Sequence, residues 1–236
     1  MSEPARGPLS ATLIARRQLA PGVVLLRFRM REGEALRWQP GQYLTLATHD
    51  APETAVPYSI ASALEGTPPG EFELAVSANG GQDLLARLHP QAQVFVSPAQ
   101  GRFVWEPALG ATLLVGMGTG LSPLRAMVQA LLARAANDPV TLLFGARSEA
   151  DILFRDEFTE LAGRERRFSF EPTLSQPSAV WRGRVGRVQD HLSGIVADLR
   201  DISAYICGSR EMVADCVARL TGPLGVNPAR VRSEAH

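Results

Sequence analysis

T-L-L-V-G-M-G-T-G-L-S-P-L-R-A-M, at residues 112–127, is the stretch of sequence that decides the fold. An apolar run at 113–115 leads into three glycines at alternate positions, and Pro123 suits the first turn of a helix. This order predicts a strand, a tight loop and a helix start whose N–H groups and dipole can face a phosphate. The spacing is not G-x-G-x-x-G, because Leu121 stands at the last glycine position. The loop alone therefore fits either a phosphate site or a turn whose glycines serve packing.

Outward from this loop, the second half of the chain alternates between strand-like and helical patterns. The strand-like runs lie at 113–115, 140–144, 168–170 and 204–207, and the helical patterns at 124–134, 154–161, 188–196 and 211–220. Such alternation predicts crossover units and a parallel sheet. Ligands bind such sheets at the carboxyl ends of the strands, which here are residues 116–120, 145–148, 173–176 and 207–210.

The first hundred residues have a period of two instead. Apolar residues alternate with arginines around Phe28 and with glutamates around Phe72, and turn signals divide the segment into short pieces. This pattern predicts an antiparallel barrel or sandwich, with one helical interruption at 82–88. We expect the arginines and glutamates to form two solvated faces rather than cross-strand pairs. A boundary at 104–111 separates this half from the α/β half.

Composition excludes several functions. Acidic and cationic residues balance at 24 each, and no basic cluster is interleaved with aromatics, so we expect no nucleic-acid partner. All the cationic side chains are arginine, which excludes a lysine nucleophile and a P-loop lysine. We find no signal-peptide pattern and no run long enough to span a bilayer, so we expect a cytoplasmic protein without a membrane partner.

The sequence also predicts no metal site. Cys207 and Cys216 form no C-x-x-C pair, and the four histidines show no ligand spacing with one another or with carboxylates. The stretch after Gly120 lacks the closing glycine of a nucleophile elbow, which argues against a hydrolase.

Five short motifs in a fixed order make the pattern specific. They are W-Q-P-G-Q-Y at 38–43, P-Y-S-I-A-S at 57–62, P-x-x-G-R-F at 98–103, G-x-G-T-G-L-S-P at 116–123 and Y-I-C-G-S-R-E-M at 205–212. With W-R-G-R-V-G at 181–186 and R-V-R-S-E-A-H at 230–236, the chain resembles the ferredoxin-NADP reductase superfamily over nearly its whole length. It looks particularly like the bacterial NAD(P)H:flavin reductases and the reductase components of multicomponent oxygenases.

The resemblance implies a six-stranded antiparallel β-barrel that binds flavin at residues 1–105 and a Rossmann-like parallel-sheet domain that binds NAD(P)H at 106–236. Hydride would pass from nicotinamide C4 to flavin N5 at the interface, and electrons would leave to a separate redox protein or a diffusible acceptor. FAD is the expected flavin and FMN the alternative. The oligomeric state is left open.

The resemblance also implies the site residues. Ser59 would hydrogen-bond near flavin N5, Cys207 would lie beside nicotinamide C4, and Glu234 would complete this catalytic set. Tyr58 would lie against the flavin ring. Taken singly, Tyr58 also fits a barrel-rim aromatic and Cys207 a buried small residue. The other implied cofactor-binding residues are Tyr43, Pro57, Ala75, Ser77, Gly80, Gly81, Gln82, Asp83, Gly118, Thr119, Gly120, Pro123, Arg147, Ser175, Gly208, Met212 and His236.

Three positions depart from the family pattern. Val56 stands where an arginine would neutralise the flavin phosphate, and Asp83 places a carboxylate at a helix start that would otherwise attract the diphosphate. His236 stands near the place of a stacking aromatic; it either stacks on the flavin or is a disordered chain end. We therefore predict that the flavin is held mainly through its ring and by backbone N–H groups, either loosely or as an exchanging substrate.

Nucleotide preference and function stay open at this stage. Arg147 fits either the 2′-phosphate of NADPH or a surface ion pair, and Gln176 after Ser175 stands where NADP-selective relatives commonly carry arginine. NADH and NADPH are therefore both compatible. So are three functions: a reductase with bound FAD that feeds a partner protein, a reductase of free FAD or FMN, and a non-catalytic regulatory or scaffold subunit on the same fold.

Overall fold

The computed structural model describes residues 9–78, 85–107, 110–197 and 201–236. The first half forms the predicted antiparallel sheet of six strands: β1 Leu9–Ala20, β2 Val23–Met30, β3 Tyr43–Thr48, β4 Ala51–Ser59, β5 Glu71–Ser77 and β6 Gln93–Val96. The strands lie in the order β4-β3-β6-β1-β2-β5. An isolated bridge between Ile60 and Leu74 connects the two edges, so the sheet curls around its own apolar face.

Alternating side chains of these strands fill the barrel interior. Phe28 of β2 and Phe72 of β5 are fully buried and stack with their ring centroids 5.3 Å apart. On the other face, the prediction of two solvated faces is wrong: Arg27 lies 2.7 Å from Glu73, and a second arginine–glutamate pair follows two residues along. The β2–β5 register places the partners directly opposite each other, and the glutamates are buried.

The second half forms the predicted parallel sheet, with helices on both faces. Its strands lie in the order β10-β9-β8-β7-β11-β12 and all pair in parallel. The strands are β7 Thr112–Met117, β8 Val140–Ala146, β9 Phe168–Leu174, β10 Arg184–Val185, β11 Ser203–Gly208 and β12 Val231–Ala235; the helices are α1 Leu121–Ala133, α2 Arg155–Arg164, α3 Val188–Ala197 and α4 Arg210–Thr221.

The parallel sheet separates two apolar clusters. One packs under α1 and α2, and the other under α3 and α4. The first cluster also contains Leu25 and Ala75 of the barrel, so apolar packing is continuous between the two halves. No helix within the described ranges is long and apolar enough to cross a membrane.

The structure differs in detail from the predictions for the helical interruption at 82–88 and for the start of α1. The helical interruption predicted at 82–88 is a single 3-10 turn, Leu85–Arg87, in its described part, and residues 82–84 lie outside the described residues. Helix α1 begins at Leu121, so Pro123 is its third residue and still lies in the first turn, where no intrahelical donor is needed. The proposed domain boundary at 105/106 stays a prediction.

Arg125 of α1 connects the two halves through buried charges. Its Nη1 donates to Glu73 Oε2 of β5 at 2.7 Å and to the carbonyl O of Ala61 at 2.7 Å. Its Nε donates to Glu157 Oε1 of α2 at 2.8 Å. One guanidinium on α1 thus links the barrel, through Glu73, to helix α2 of the other half, through Glu157.

The charges of this network stabilise one another. Burial alone would raise the pKa of Glu73, but the guanidiniums of Arg125 and Arg27 outweigh burial and lower it. Burial alone would likewise lower the pKa of Arg125, but the carboxylates of Glu157 and Glu73 outweigh burial and raise it. Glu73 and Arg125 therefore both favour their charged forms in this network.

Candidate functional site

A cavity of about 490 Å³ opens between the barrel and the parallel sheet, and we refer to it as the interface cavity. Strands β3, β4 and β5 form one wall, and the glycine loop, the start of α1 and the end of β12 form the other. Its lining residues are Tyr43, Pro57, Tyr58, Ser59, Ala75, Val76, Ser77, Thr119, Ser122, Glu234, Ala235 and His236. All of these except Val76, Ser122 and Ala235 are among the sequence-predicted site residues.

The barrel wall offers an aromatic ring and hydroxyls. Tyr43 of β3 and Ser59 of β4 are register partners in the antiparallel ladder, and Tyr58 packs partly against the barrel core. Val56 lies two residues before Tyr58 on the same side of β4 and is 45% exposed. The rim position at which the family pattern carries an arginine therefore presents an apolar side chain to solvent.

The glycines of the loop on the opposite wall have different structural roles. Gly118 has a φ of +53°, a conformation that favours glycine. A Cβ on Gly116 would lie 2.7 Å from Leu124 Cδ1, and a Cβ on Gly120 would lie 2.5 Å from the carbonyl O of Cys207. Packing thus explains Gly116 and Gly120, and backbone conformation explains Gly118. Phosphate binding by the loop stays a prediction.

The loop also sets the direction of α1. Residues Gly118–Gly120 form a 3-10 turn that leads directly into the helix at Leu121. The positive end of the helix dipole therefore lies beside the cavity, where it favours a negatively charged ligand group.

Ser122 is a candidate site residue that the sequence analysis did not single out. Its Oγ is buried, its residue lines the interface cavity, and the hydroxyl has no hydrogen-bond partner in the described structure. An unsatisfied buried hydroxyl costs about 1–3 kcal/mol, so a polar ligand atom in the cavity would stabilise it. This wall thus offers a hydroxyl that can hydrogen-bond to a polar ligand atom, such as one at the edge of a flavin ring. The Ser-Pro pair after the glycines is the available signal, and by itself it predicts only a helix start.

Three predicted residues meet where β11 and β12 end. The parallel register places Cys207 opposite Glu234, and the backbone N–H of His236 donates to the carbonyl O of Gly208 at 3.1 Å. The potential ligand atoms of Cys207, Glu234 and His236 lie within 4.8 Å of one another. His236 is thus an ordered part of the cavity wall rather than a disordered chain end.

Burial dominates the protonation of this group. It raises the pKa of the Cys207 thiol, to which the charge of Glu234 adds, and it raises the pKa of the Glu234 carboxyl. It lowers the pKa of the His236 imidazole. Each of the three side chains therefore favours its uncharged form more than it would at the surface.

A second cavity of about 450 Å³ lies on the other side of the glycine loop, and we refer to it as the strand-end cavity. It occupies the predicted place at the carboxyl ends of the parallel strands. Its lining residues are Met117, Gly118, Gly145, Ala146, Arg147, Asp151, Ser175, Gln176, Gly186, Arg187, Val188, Gln189, Ser209, Glu211 and Met212. The predicted residues Gly118, Arg147, Ser175 and Met212 are among them.

Arg147 and Arg187 bring positive charge to the strand-end cavity. Arg147 Nε donates to Gln176 Oε1 at 2.9 Å, and within the described ranges Arg147 forms no ion pair with the acidic residues that follow it. Arg187, which the sequence analysis missed, lies 3.7 Å from Glu211. The surface ion-pair alternative for Arg147 is therefore not what the structure shows.

Among the described residues, four predicted ones line neither cavity: Gly120, Pro123, Cys207 and Gly208. Gly120 and Gly208 lie beside Cys207, and Pro123 is buried in the first turn of α1. Gly80, Gly81, Gln82 and Asp83 lie outside the described residues, so the second flavin motif stays a prediction.

Comparison with known proteins agrees with this arrangement. The family model described as an oxidoreductase NAD-binding domain matches residues 114–218. The chain is 37% identical to "Ferredoxin--NADP reductase B" of Sorangium cellulosum, over 97% of this chain and 98% of that protein. It is 30% identical to a ferredoxin–NAD(P)(+) reductase component of naphthalene 1,2-dioxygenase/salicylate 5-hydroxylase systems of a Ralstonia species, over 89% of this chain but only 63% of that protein.

Solved structures show the same fold. The cytochrome P450 reductase of Amycolatopsis superposes with a TM-score of 0.86 and 26% identity, over 97% of this chain and 69% of that one.

The fold and the two adjoining cavities define an oxidoreductase with an NAD-binding α/β half. More specifically, the chain belongs to the ferredoxin-NADP reductase superfamily. Because the relatives are named as enzymes, the alternative of a non-catalytic subunit is no longer needed.

Proposed function

We propose that the protein is an NAD(P)H-dependent flavin oxidoreductase that binds FAD in the interface cavity and the nicotinamide nucleotide in the strand-end cavity. The observation that carries this proposal is that one loop separates the two cavities: Thr119 lines the first and Gly118 lines the second. Ligands bound in them would be neighbours, as direct transfer between them requires. A bound flavin would supply the redox chemistry, since its N5 accepts hydride from nicotinamide C4.

The barrel residues orient the flavin in this proposal. Tyr58 presents an aromatic face, while the hydroxyls of Ser59 and Ser122 lie on opposite walls of the same cavity. Such paired hydroxyls can hydrogen-bond to the polar edge of the ring. FAD is the flavin that the family resemblance implies, and FMN is the alternative.

The α/β residues bind the nucleotide. The loop Gly118–Gly120 and the start of α1 face its diphosphate, and Met212 contributes apolar surface. Arg147 lies deeper along the strand ends, near Ser175, where a guanidinium can bind a phosphate of the adenosine part.

Cys207 and Glu234 complete the reacting region. Cys207 is fully buried, and its raised pKa keeps the thiol protonated, so it is a small neutral neighbour rather than a competing nucleophile. The raised pKa of Glu234 allows it to hold a proton on a carboxyl oxygen closer to neutral pH than a surface glutamate does.

The electron acceptor is proposed to be a separate redox protein. The two relatives described above are named as a ferredoxin–NADP reductase and as the ferredoxin reductase component of a dioxygenase system, which supports this class of partner. We also propose that residues 1–105 form the flavin domain and residues 106–236 form the nucleotide domain.

Anaerobic reduction of protein-bound flavin tests the proposal. We expect NADH or NADPH to bleach the flavin absorbance of the FAD-loaded protein, and Ser59→Ala to slow the bleaching at least about tenfold, as loss of a positioning hydrogen bond does. Ser193→Ala, an exposed serine on α3, should leave the rate unchanged. If neither NADH nor NADPH bleached the wild-type flavin, the proposal would be refuted.

A reductase of free flavin is a second candidate, favoured by Val56. Because the barrel rim carries an apolar, 45% exposed side chain where the family pattern carries an arginine, the flavin phosphate loses an ionic partner. Under this alternative, dialysis should remove the flavin and activity should then saturate with added FAD or FMN. A stoichiometric flavin that survives dialysis would exclude the alternative.

A further inference from the structure

Cys207, Glu234 and His236 form a compact group of three different metal-ligating side chains. The parallel register of β11 and β12 sets Cys207 beside Glu234, and His236 follows Glu234 by two residues, on the same side of the chain. One potential ligand atom from each lies within 4.8 Å of the other two. Small side-chain rotations would bring all three onto one ion, because ligands at about 2.0–2.3 Å from zinc are themselves closer together than this.

No positive side chain balances this group. Within the described residues, no arginine forms a salt bridge with Glu234, and Arg232, two residues earlier on β12, pairs with Glu106 instead. Cys207 is fully buried, whereas Glu234 and His236 line the interface cavity. The group therefore combines an open side towards the cavity with donors that lack a cationic partner.

The donor set selects the kind of metal. A sulfur, an imidazole nitrogen and a carboxylate oxygen match a borderline-soft divalent ion, whereas magnesium and calcium prefer oxygen ligands alone. Three protein ligands with one open position are also the arrangement of a zinc site that accepts a water or another small ligand.

We propose that Cys207, Glu234 and His236 bind a divalent metal ion of the zinc class when the interface cavity holds no flavin or nicotinamide. The Cys207 thiol would release its proton to solvent as the sulfur–metal bond forms, with no change in oxidation state. The ion would occupy the reacting region. Zinc-class ions therefore inhibit the enzyme by competing with its cofactors, a consequence that rests on the proposed function, whereas the binding itself does not.

Direct metal binding provides the first test. Titration of the flavin-free full chain with Co²⁺ should produce a sulfur-to-cobalt charge-transfer band at one saturable site, and Zn²⁺ should abolish the band. Cys207→Ser should lose the band, and His236→Gln should weaken Co²⁺ binding at least about tenfold. Cys216→Ser is the matched control, because Cys216 is the other buried cysteine and lies on α4, away from the group. Circular dichroism checks that each variant is folded.

Two results would overturn the proposal: absence of a saturable cobalt site in the wild type, or an unchanged band in folded Cys207→Ser. A second arm compares each protein with itself in the presence and absence of Zn²⁺. Zn²⁺ should slow NAD(P)H-dependent flavin reduction by the wild type, a chelator should restore it, and His236→Gln should lose this sensitivity.

The two arms separate the two proposals. Cobalt binding without any flavin reduction would leave the metal site standing and refute the proposed function. Flavin reduction without a cobalt site would leave the proposed function standing and refute the metal site.

Discussion

The two walls of the interface cavity are built in different ways. The α/β wall combines one continuous stretch, residues 116–123, in which Gly116 and Gly120 leave no room for a side chain, with the end of β12. The barrel wall is assembled from β5 and the two consecutive strands β3 and β4, and at its rim Val56 exposes an apolar side chain. The glycine loop is thus determined by local geometry, whereas both complete walls depend on long-range assembly, and the proposed flavin side carries the weaker anchor.

The largest expected effect is on the free energy of unfolding, when the Arg125 network that connects the barrel to the α/β half is broken. Arg125→Met would leave Glu157 without its guanidinium and Glu73 with only Arg27, and loss of one partner of a buried ionic network typically costs about 3–5 kcal/mol. We expect urea unfolding to show a loss of free energy of unfolding in this range.

The control for this prediction is Arg164→Met. Arg164 is 62% exposed and lies 3.6 Å from Glu160, and such surface pairs contribute less than about 1 kcal/mol. An equal, small effect of both substitutions would contradict the role of Arg125 as the connection between the halves.

The next largest expected effect is on the rate of flavin reduction, when the packing of the glycine loop in the α/β wall is disturbed. Gly120→Ala places a Cβ 2.5 Å from the carbonyl O of Cys207, so the loop must move away from β11. A displacement of about 1 Å at a reacting site can cost about 100-fold in rate, and we expect flavin reduction by NAD(P)H to fall by that order.

Gly163→Ala on α2 is the matched glycine control, because a Cβ there meets nothing within 4 Å. In a helix this change should stabilise the protein by about 0.5–1 kcal/mol and leave turnover unaltered. Wild-type turnover in Gly120→Ala would show that flavin reduction does not need the tight packing of the loop against β11.

A smaller effect on kcat/KM should distinguish NADPH from NADH at Arg147, which lines the strand-end cavity. If Arg147 binds a 2′-phosphate, Arg147→Ala should lower kcat/KM for NADPH about tenfold and change kcat/KM for NADH less than about twofold. Steady-state kinetics with both nucleotides measure this. Equal losses would assign Arg147 to a part of the nucleotide that NADH and NADPH share, and no loss would remove it from the site.

The smallest effect should come from repairing the barrel wall. Val56→Arg restores the charge that the family pattern carries there, and we expect the dissociation constant for FAD to fall about fivefold, because the position is partly exposed and screened by solvent. Val56→Gln, which lengthens the side chain without a charge, is the control. Equilibrium dialysis or flavin fluorescence measures the change, and equal affinities of the two variants would argue against a phosphate at this rim.

The sequence allowed the α/β half to be predicted closely, because its strands and helices are long, apolar and locally patterned. The predicted runs at 140–144 and 211–220 became β8 and α4, each with only one or two residues added at an end. Strands β10 and β12 were missed, since one is two residues long and the other carries several polar side chains. These strands exist because a neighbouring strand pairs with them, which no local pattern indicates.

In the candidate site, too, residues within motifs could be predicted, whereas their tertiary contacts could not. Motif order was enough to predict Tyr58, Ser59 and Thr119, and all three line one cavity. The unsatisfied hydroxyl of Ser122 could not be predicted, because a serine near a helix start ordinarily has a capping or solvent partner.

By itself, the sequence determined the two kinds of sheet, the glycine loop and the family, because hydrophobic period and motif order are properties of the chain alone. Only the tertiary structure decided how charges and ligand atoms meet. It turned two supposedly solvated faces into cross-strand ion pairs with buried glutamates, one of which also contacts Arg125, since the register brought the partners opposite each other. It also placed Cys207 beside Glu234 and His236, which are 27 and 29 positions away in the chain but adjacent across two parallel strands.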